Sequence, residues 1–286
     1  MPISLADLAS PDYAGEIKSF PVCQLLNGAK SPKDTGLFIK LPSLVKADWK
    51  NIPKPEELYT QTFNSGESEQ GILLQKPNIL IFQQSPRFIE TRAKDDLKAK
   101  IVGVYENPRD AEVYNSDKAN YTLRTLYLIF LLNDKGEKLH SVPLCLTVKG
   151  VAAAQFGVQL DSFRQSLEKA FAEAQKVPYS PKNEQFHSLG VFTPTFEPSL
   201  EGGDKKSWVC IAKTYAPATA KDIAKFLRTD LADEVWMLRD AAKTFSARYF
   251  NDEADYFAVE GNVPMLRSAT SNDGADFDTT VDVDTV

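Results

Sequence analysis

The chain has 286 residues, 43% apolar and 25% charged, with a formal charge of −6, the composition of an ordinary globular protein long enough to bury a full core. No apolar run approaches the roughly 18 residues of a spanning helix, and the start Met1-Pro-Ile-Ser-Leu-Ala-Asp-Leu lacks the basic head and apolar stretch of a secretory signal. Asp273, Asp276, Asp278, Asp282 and Asp284 supply −5 within the last 17 residues. Removing that −5 from −6 leaves a body at −1, which neither supports nor excludes an anionic partner.

Residues 1–20 are weakly patterned and read as a flexible arm. Pro21–Leu26 and Gly36–Leu41 read as short strands around the loop Asn27–Thr35, and Leu44–Trp49 as a short helix stopped before Pro53 and Pro55. Tyr59–Phe63 alternates as a strand, Asn64–Gly71 reads as a polar turn, and Ile72–Gln75 and Asn78–Gln84 as further strands. After Ser85-Pro86 comes a charged stretch, Arg87–Lys100, then a strand at Ile101–Tyr105 and a polar loop at Asn107–Asn120. Tyr121–Leu132 is β-branched, aromatic and aliphatic, and runs into the turn Asn133-Asp-Lys-Gly136. Together with Leu139–Lys149 it predicts a central hairpin buried on both faces toward its end. Short strands at this spacing predict a barrel or sandwich rather than βαβ units.

The period then changes. Phe156, Leu160, Phe163, Leu167, Ala170 and Phe171 recur at spacings of three and four, the stripe of an amphipathic helix ending before Pro178. A Pro-rich linker, Val177–Asn183, leads to a predicted hairpin, Phe186–Glu197 with Ser207–Tyr215, around the loop Pro198–Asp204. From Pro217 a helix of about 30 residues is predicted on the stripe Ile223, Phe226, Leu227, Leu231, Val235, Leu238, Ala242 and Phe245, with a kink near Thr229–Asp233 capped by Asp230. Beyond Pro264 the chain is small, polar and acidic, which predicts a disordered tail over 265–286.

Catalytic motifs are absent: no Gly-x-Gly-x-x-Gly, no phosphate-binding Lys loop, and no Ser between glycines at a nucleophile elbow. Three distant cysteines, Cys23, Cys145 and Cys210, argue against a disulfide framework and fit a reducing cytoplasm; with two histidines and no Cys-x-x-Cys pair, a zinc site has no ligand pattern. His140 and His187 are the conceivable general bases, and the acid pairs Glu67/Glu69 and Asp95/Asp96 read as solvated loop charges. No cofactor is expected.

The basic and aromatic pattern is more informative. Arg87, Arg92, Lys94, Lys98 and Lys100 lie beside Phe82, Phe88 and Tyr105; Tyr114, Lys118, Tyr121 and Arg124 follow; Lys205, Lys206, Trp208, Lys213 and Tyr215 form a third group. Single-stranded nucleic acid is held by cations that track phosphates and by rings on which bases stack, a combination that small barrels present on one sheet face. The bland reading is that the charges are solvated and the rings fill a core. The sites expected from this pattern are Arg87, Phe88, Arg92, Lys94, Lys98, Lys100, Tyr105, Tyr121, Arg124, Lys149, Lys205, Lys206 and Trp208. In the tail, Asp276, Phe277, Asp278, Asp282, Asp284 and Val286 pair spaced acids with an apolar tip suited to a partner's basic-rimmed pocket. A solubilising terminus is the alternative for that segment.

Two resemblances follow from these segments. A barrel with an acidic, apolar-tipped tail resembles the plan of bacterial and phage single-strand-binding proteins, which have an oligonucleotide-binding (OB) barrel. Ser65-Gly-Glu-Ser-Glu-Gln-Gly-Ile-Leu-Leu-Gln-Lys-Pro77 and Leu139-His-Ser-Val-Pro-Leu-Cys-Leu-Thr-Val-Lys-Gly150 resemble an uncharacterised domain family of cyanobacteria. That resemblance covers roughly residues 20–175, implies a cyanobacterial or cyanophage source, and brings no activity. It points to the Glu67–Gly71 turn and the Lys149-Gly150 strand end as places for a ligand, although turn geometry alone accounts for both glycines.

The sequence therefore predicts a β-rich α+β chain: a barrel-like, OB-like domain with a packed helix over 21–176, then a hairpin and long helix over 186–260, either an extension or a small second domain. The expected function is non-catalytic single-stranded DNA binding in replication or recombination in the cytoplasm, with the tail recruiting partner proteins or competing for the groove and no membrane contact. The alternatives are a self-associating structural protein, such as a phage virion component, and a metal-dependent nuclease using Glu67, Glu69 or His140.

Overall fold

The computed structural model describes residues 20–63, 66–92, 99–202 and 206–246. In chain order the elements are β1 (Val22–Leu25), β2 (Leu37–Lys40), α1 (Leu41–Lys46), β3 (Tyr59–Thr62), β4 (Ser68–Leu74), β5 (Asn78–Gln84), β6 (Phe88–Thr91) and β7 (Ile101–Val104). Then follow α2 (Pro108–Ser116), β8 (Tyr121–Leu132), β9 (Leu144–Lys149), α3 (Gly150–Gln175), α4 (Glu184–His187), β10 (Val191–Phe192), β11 (Pro194–Glu201), β12 (Ser207–Tyr215), α5 (Ile223–Phe226) and α6 (Ala232–Ala241). The architecture is mixed α+β around one large sheet.

Strand β8 is the centre of that sheet because it is long and its second half, Thr125–Leu132, is wholly buried. On one side it carries two strands end to end. β5 pairs with its second half (Asn78 opposite Leu132 to Gln84 opposite Tyr127), and β6 with its first (Phe88 opposite Arg124 to Thr91 opposite Tyr121). Between them Pro86 has no amide to donate. Ser85 closes the gap: its amide donates to Leu126 O and its hydroxyl accepts from Leu126 N, both at 2.9 Å. On the other side lies β9, and the order continues through β1, β2 and β4 to β3, with β10 outside β5 and β7 outside β6. β1 runs parallel to β9; the other pairings are antiparallel. Among the described residues no pairing joins β10 to β3, so the sheet is open there, where the sequence predicts a barrel. β11 and β12 form a separate two-stranded sheet.

The amphipathic stripe expected from the sequence is the packing face of α3: Phe156, Leu160, Phe163, Leu167 and Ala170 are all buried. Phe156 meets Tyr127 and Phe192, and Phe163 meets Phe192, Tyr215 and Phe226. Each such ring contributes about 1.5–3 kcal/mol by leaving water. The helix starts six residues earlier than the predicted stripe, at Gly150, whose φ of 54° turns the chain out of β9. It ends at Lys176 in the left-handed conformation. The connector 177–183 is then tied back by one buried carboxylate, Glu168, which accepts from Tyr179 Oη and Lys182 N, both at 2.8 Å, and lies 2.9 Å from His187 Nε2. Burial alone would raise the Glu168 pKa, but these hydrogen bonds outweigh it and hold the carboxyl below its ordinary value.

Five further expectations are corrected. The predicted turn at 64–71 is largely strand: β4 begins at Ser68, and Gly71 lies within it because a Cβ there would stand 2.1 Å from Ile39 O. The polar loop 107–120 contains helix α2, capped by Asn107 Oδ1 accepting from Arg109 N with Pro108 in the first turn. The strand predicted from Leu139 begins at Leu144. The long C-terminal helix is broken into short pieces at Leu227-Arg228, because Leu227 bridges Gly190 and Arg228 N donates to Leu189 O at 2.9 Å. Asp230 is not a helix cap; its carboxylate pairs with Arg228 at 2.8 Å. The apolar positions still turn inward, since Phe226, Leu227, Val235, Ala242 and Phe245 are buried.

Single backbone groups on the outer strands are answered locally. The outward Val104 amide of β7 donates to Asp110 Oδ2 at 3.0 Å, Gln61 Nε2 donates to Thr62 O of β3 at 2.8 Å, and residues 227–228 bond Leu189 and Gly190 just before β10.

His140, a candidate general base by sequence, is fully buried and structural. It stacks on Trp49, Nε2 accepts from Leu131 N at 3.0 Å, and Nδ1 faces Val142 O at 2.8 Å. These bonds place the single proton on Nδ1, and burial, the largest cause, pushes the pKa down from 6.5 to about 4. The unfolded chain therefore takes up a proton that the folded chain refuses, so this stability is present above the unfolded value and is lost as pH falls toward the folded one. Between about pH 7 and pH 4.5 the unfolding free energy should fall by about 2–3 kcal/mol more in the native chain than in His140→Gln, read from urea titrations at both pH values. Equal losses in the two proteins would show that His140 does not carry this dependence.

Candidate nucleic-acid interface

Arg87, Arg92, Lys100 and Lys118 of the first two basic groups gather where β7, β6 and the first half of β8 lie side by side, with α2 beside them. Arg87, exposed just before β6, donates Nε–H to Glu106 Oε1 at 2.8 Å, and its guanidinium lies 4.4 Å from the Tyr105 ring centroid. Tyr105 meets Tyr114 of α2 edge to face at 5.6 Å, and the Lys118 ammonium lies 5.8 Å from the Tyr114 centroid. Cation, ring, ring and cation thus form a continuous line in which every neighbour attracts the next.

Beside this line is a cleft of about 320 Å³ lined by Thr91, Arg92, Asp117, Asn120 and Tyr121. Its walls are fixed by backbone. Arg92 N donates to Asn120 O at 2.8 Å, Thr91 N to Lys100 O at 2.8 Å, and Lys100 N to Thr91 Oγ1 at 2.9 Å. Arg92 and Lys100 are exposed and Tyr121 is half-buried.

Other predicted contacts are used internally. Phe88 is fully buried, so its ring is core and offers no stacking face. Arg124 and Lys149 both turn to Glu90, itself only 2% exposed: Arg124 Nη2 is 2.7 Å from Oε1, and Lys149 Nζ is 3.2 Å from Oε2 and 3.4 Å from Oε1. The pairing registers cause this. Phe88 lies opposite Arg124 and Arg124 opposite Lys149, so three adjacent strands place these side chains on the face that also carries Glu90, two residues beyond Phe88. A buried carboxylate has to be compensated, and here two cations do it. The Lys149-Gly150 strand end is likewise occupied, with Thr122 Oγ1 3.3 Å from where a Gly150 Cβ would stand.

Lys206 is exposed and Trp208 half-buried, but Lys206 directly precedes β12 and Trp208 lies in the β11–β12 sheet, where Trp208 O accepts from Gly28 N at 2.9 Å, beside β1 and two strands from β8. Lys94, Lys98 and Lys205, and the tail positions Asp276, Phe277, Asp278, Asp282, Asp284 and Val286, lie outside the described residues. Of the predicted residues, the structure therefore brings together Arg87, Arg92, Lys100, Tyr105 and Tyr121. Sequence reasoning missed Thr91, Asp117 and Asn120; the Asn107-Pro108 helix start was the available sign that this polar segment is folded.

Of the acid pairs, Asp95/Asp96 lies outside the described residues. Glu69 binds Lys40 at 2.9 Å, and among the described residues no group of three or more His, Cys, Asp or Glu side chains could hold a metal ion. Cys23, Cys145 and Cys210 are buried thiols; burial pushes Cys210 up to about 12, too high for a reactive thiolate near neutrality. Among the described residues no helix is long and apolar enough to cross a membrane.

This α+β arrangement, a large sheet with packed helices, coincides with a known family. A family model described as "Domain of unknown function (DUF5895)" matches residues 17–255, and the chain belongs to that family. It is also similar to "Uncharacterized protein 254L" of Invertebrate iridescent virus 6, at 24% identity over 216 residues, covering 68% of this chain. The matched region spans 63% of that viral protein, under two thirds of its length. No solved structure matches.

Replacing Glu90 by Ala should leave Arg124 and Lys149 facing each other without their shared carboxylate, and should cost about 3 kcal/mol. Chemical denaturation checks this. A change below about 0.5 kcal/mol, the level of an exposed ion pair, would mean that the pairing is incidental to stability.

Proposed function

We propose that this protein binds single-stranded DNA without catalysing a reaction, acting in replication or recombination, and that the β7–β6–β8 corner is its contact surface. The observation that supports this most is the line Arg87–Tyr105–Tyr114–Lys118 running beside the cleft of Arg92 and Tyr121. Cations within reach of phosphates and rings within reach of bases are what single strands require, each stacked base contributing about 1–3 kcal/mol.

This surface is smaller than the groove expected from sequence, since Phe88, Arg124 and Lys149 serve the core. It also does without a closed oligonucleotide-binding barrel: three adjacent strands and one helix present the groups. The reading assigns the acidic residues Asp276, Asp278, Asp282 and Asp284, with Phe277 and Val286, to recruiting replication or recombination proteins. It places the chain in a reducing cytoplasm, in keeping with three buried free thiols.

Fluorescence anisotropy of the full chain with a labelled 15-nucleotide dT strand and with a duplex, at about 50 and 200 mM salt, tests the proposal. If Arg87, Arg92 and Lys100 each meet one phosphate, affinity for the single strand should fall about 20-fold over that range, from a slope of about −0.7 per contact. Arg92→Ala should flatten the slope by about 0.7, and Tyr121→Ala should weaken binding about tenfold at either salt. Absent or salt-independent binding would overturn the proposal.

A further inference from the structure

The cleft beside Tyr121 contains a carboxylate, an unusual group to meet a polyanion. Asp117 sits at the C-terminal end of α2, its amide bonded to Tyr114 O at 3.3 Å. Asn120 donates once to each carboxylate oxygen: Nδ2 to Oδ2 at 2.8 Å and the backbone amide to Oδ1 at 3.3 Å. A carboxylate offers about four acceptor positions over its two oxygens. Each oxygen here thus retains acceptor capacity, in a half-buried position on the wall of a cleft of about 320 Å³. That is the small end of the roughly 300–1,000 Å³ of ligand pockets, room for one base.

From this geometry we infer that Asp117 makes the cleft selective for guanine. The inference rests on the single-strand reading above and adds the base it prefers. Guanine alone among the DNA bases carries two neighbouring donors on its pairing edge, N1–H and N2–H2, which match the two oxygens of a carboxylate as a fork. Adenine and cytosine offer one exocyclic amine next to a ring acceptor, and thymine offers one N–H between two carbonyls, which an anion repels. Tyr121 supplies the stacking face, and the exposed Arg92 lies on the same cleft to meet the adjoining phosphate and offset the negative charge of Asp117. Asn120 is the positioning residue that fixes the carboxylate's plane.

Labelled 15-nucleotide dT strands carrying dG, dA, dC or dT at the central position distinguish the outcomes, measured by anisotropy on the full native chain. The dG strand should bind about tenfold more tightly than the other three, the discrimination expected of one bidentate base contact. Asp117→Asn, which presents an NH2 in place of one oxygen and removes the negative charge, should erase that preference by raising affinity for the all-dT strand and lowering it for the dG strand. Arg92→Ala should weaken all four strands alike. Equal affinity for all four strands by the native chain overturns the inference and leaves the single-strand reading standing, whether or not the variants fold. A dG preference that persists in Asp117→Asn overturns the role of Asp117. Failure of every strand to bind overturns the single-strand reading and the inference with it.

Discussion

The structure depends on one strand serving three others. β8 is paired on both sides, with β9 over Arg124–Ile129 on one, and on the other with two strands in succession, β5 and then β6. That requires the chain to leave the ladder at Ser85-Pro86 and re-enter it without stranding the Leu126 amide and carbonyl in the core. A Ser hydroxyl and amide answering both groups of Leu126 meet the requirement, where an apolar residue would leave a buried donor unsatisfied at a cost of about 1–3 kcal/mol. Everything at the corner, including the turn that brings Arg87 against Tyr105, follows from where β6 resumes.

The same strand decides which charges are structural. Its first half is flanked by β6 and β9, so alternation carries Arg124 and Lys149 to the face that holds Glu90. Arg92 and Lys100 lie just outside the strands and reach solvent. Two sets of basic residues that look alike in the sequence thus separate by register: one neutralises a buried acid and the other faces water. A cation within a strand is committed by its neighbours, whereas one just past the strand end is not.

The central strand, the stripe of α3 and most short strands were legible because periodicity reports burial directly. The failures have local causes. The stripe from Ile223 to Phe245 was right about which residues turn inward and wrong about the backbone, since Leu227 and Arg228 leave the helix to bond Gly190 and Leu189. Helix α2 has no buried residue at all, so it left no apolar period to find, only the Asn107-Pro108 cap. Gly71 read as a turn residue because glycine permits turns, but its place in β4 is dictated by the close approach of Ile39. At the candidate site, Arg92 and Tyr121 were legible by type. Asp117 and Asn120 were not, since acidic and amide residues in a polar segment look like solvent-facing padding until the fold puts them on one wall.

The bonds on the outer strands bear on how this protein behaves in company. An unpaired strand edge is a template for pairing with another chain. Asp110 on the Val104 amide, Gln61 on the Thr62 carbonyl and the segment at 227–228 beside Leu189 and Gly190 each remove backbone groups from such an edge. Neighbouring molecules at high concentration then find fewer bare amides and carbonyls through which to fuse their sheets.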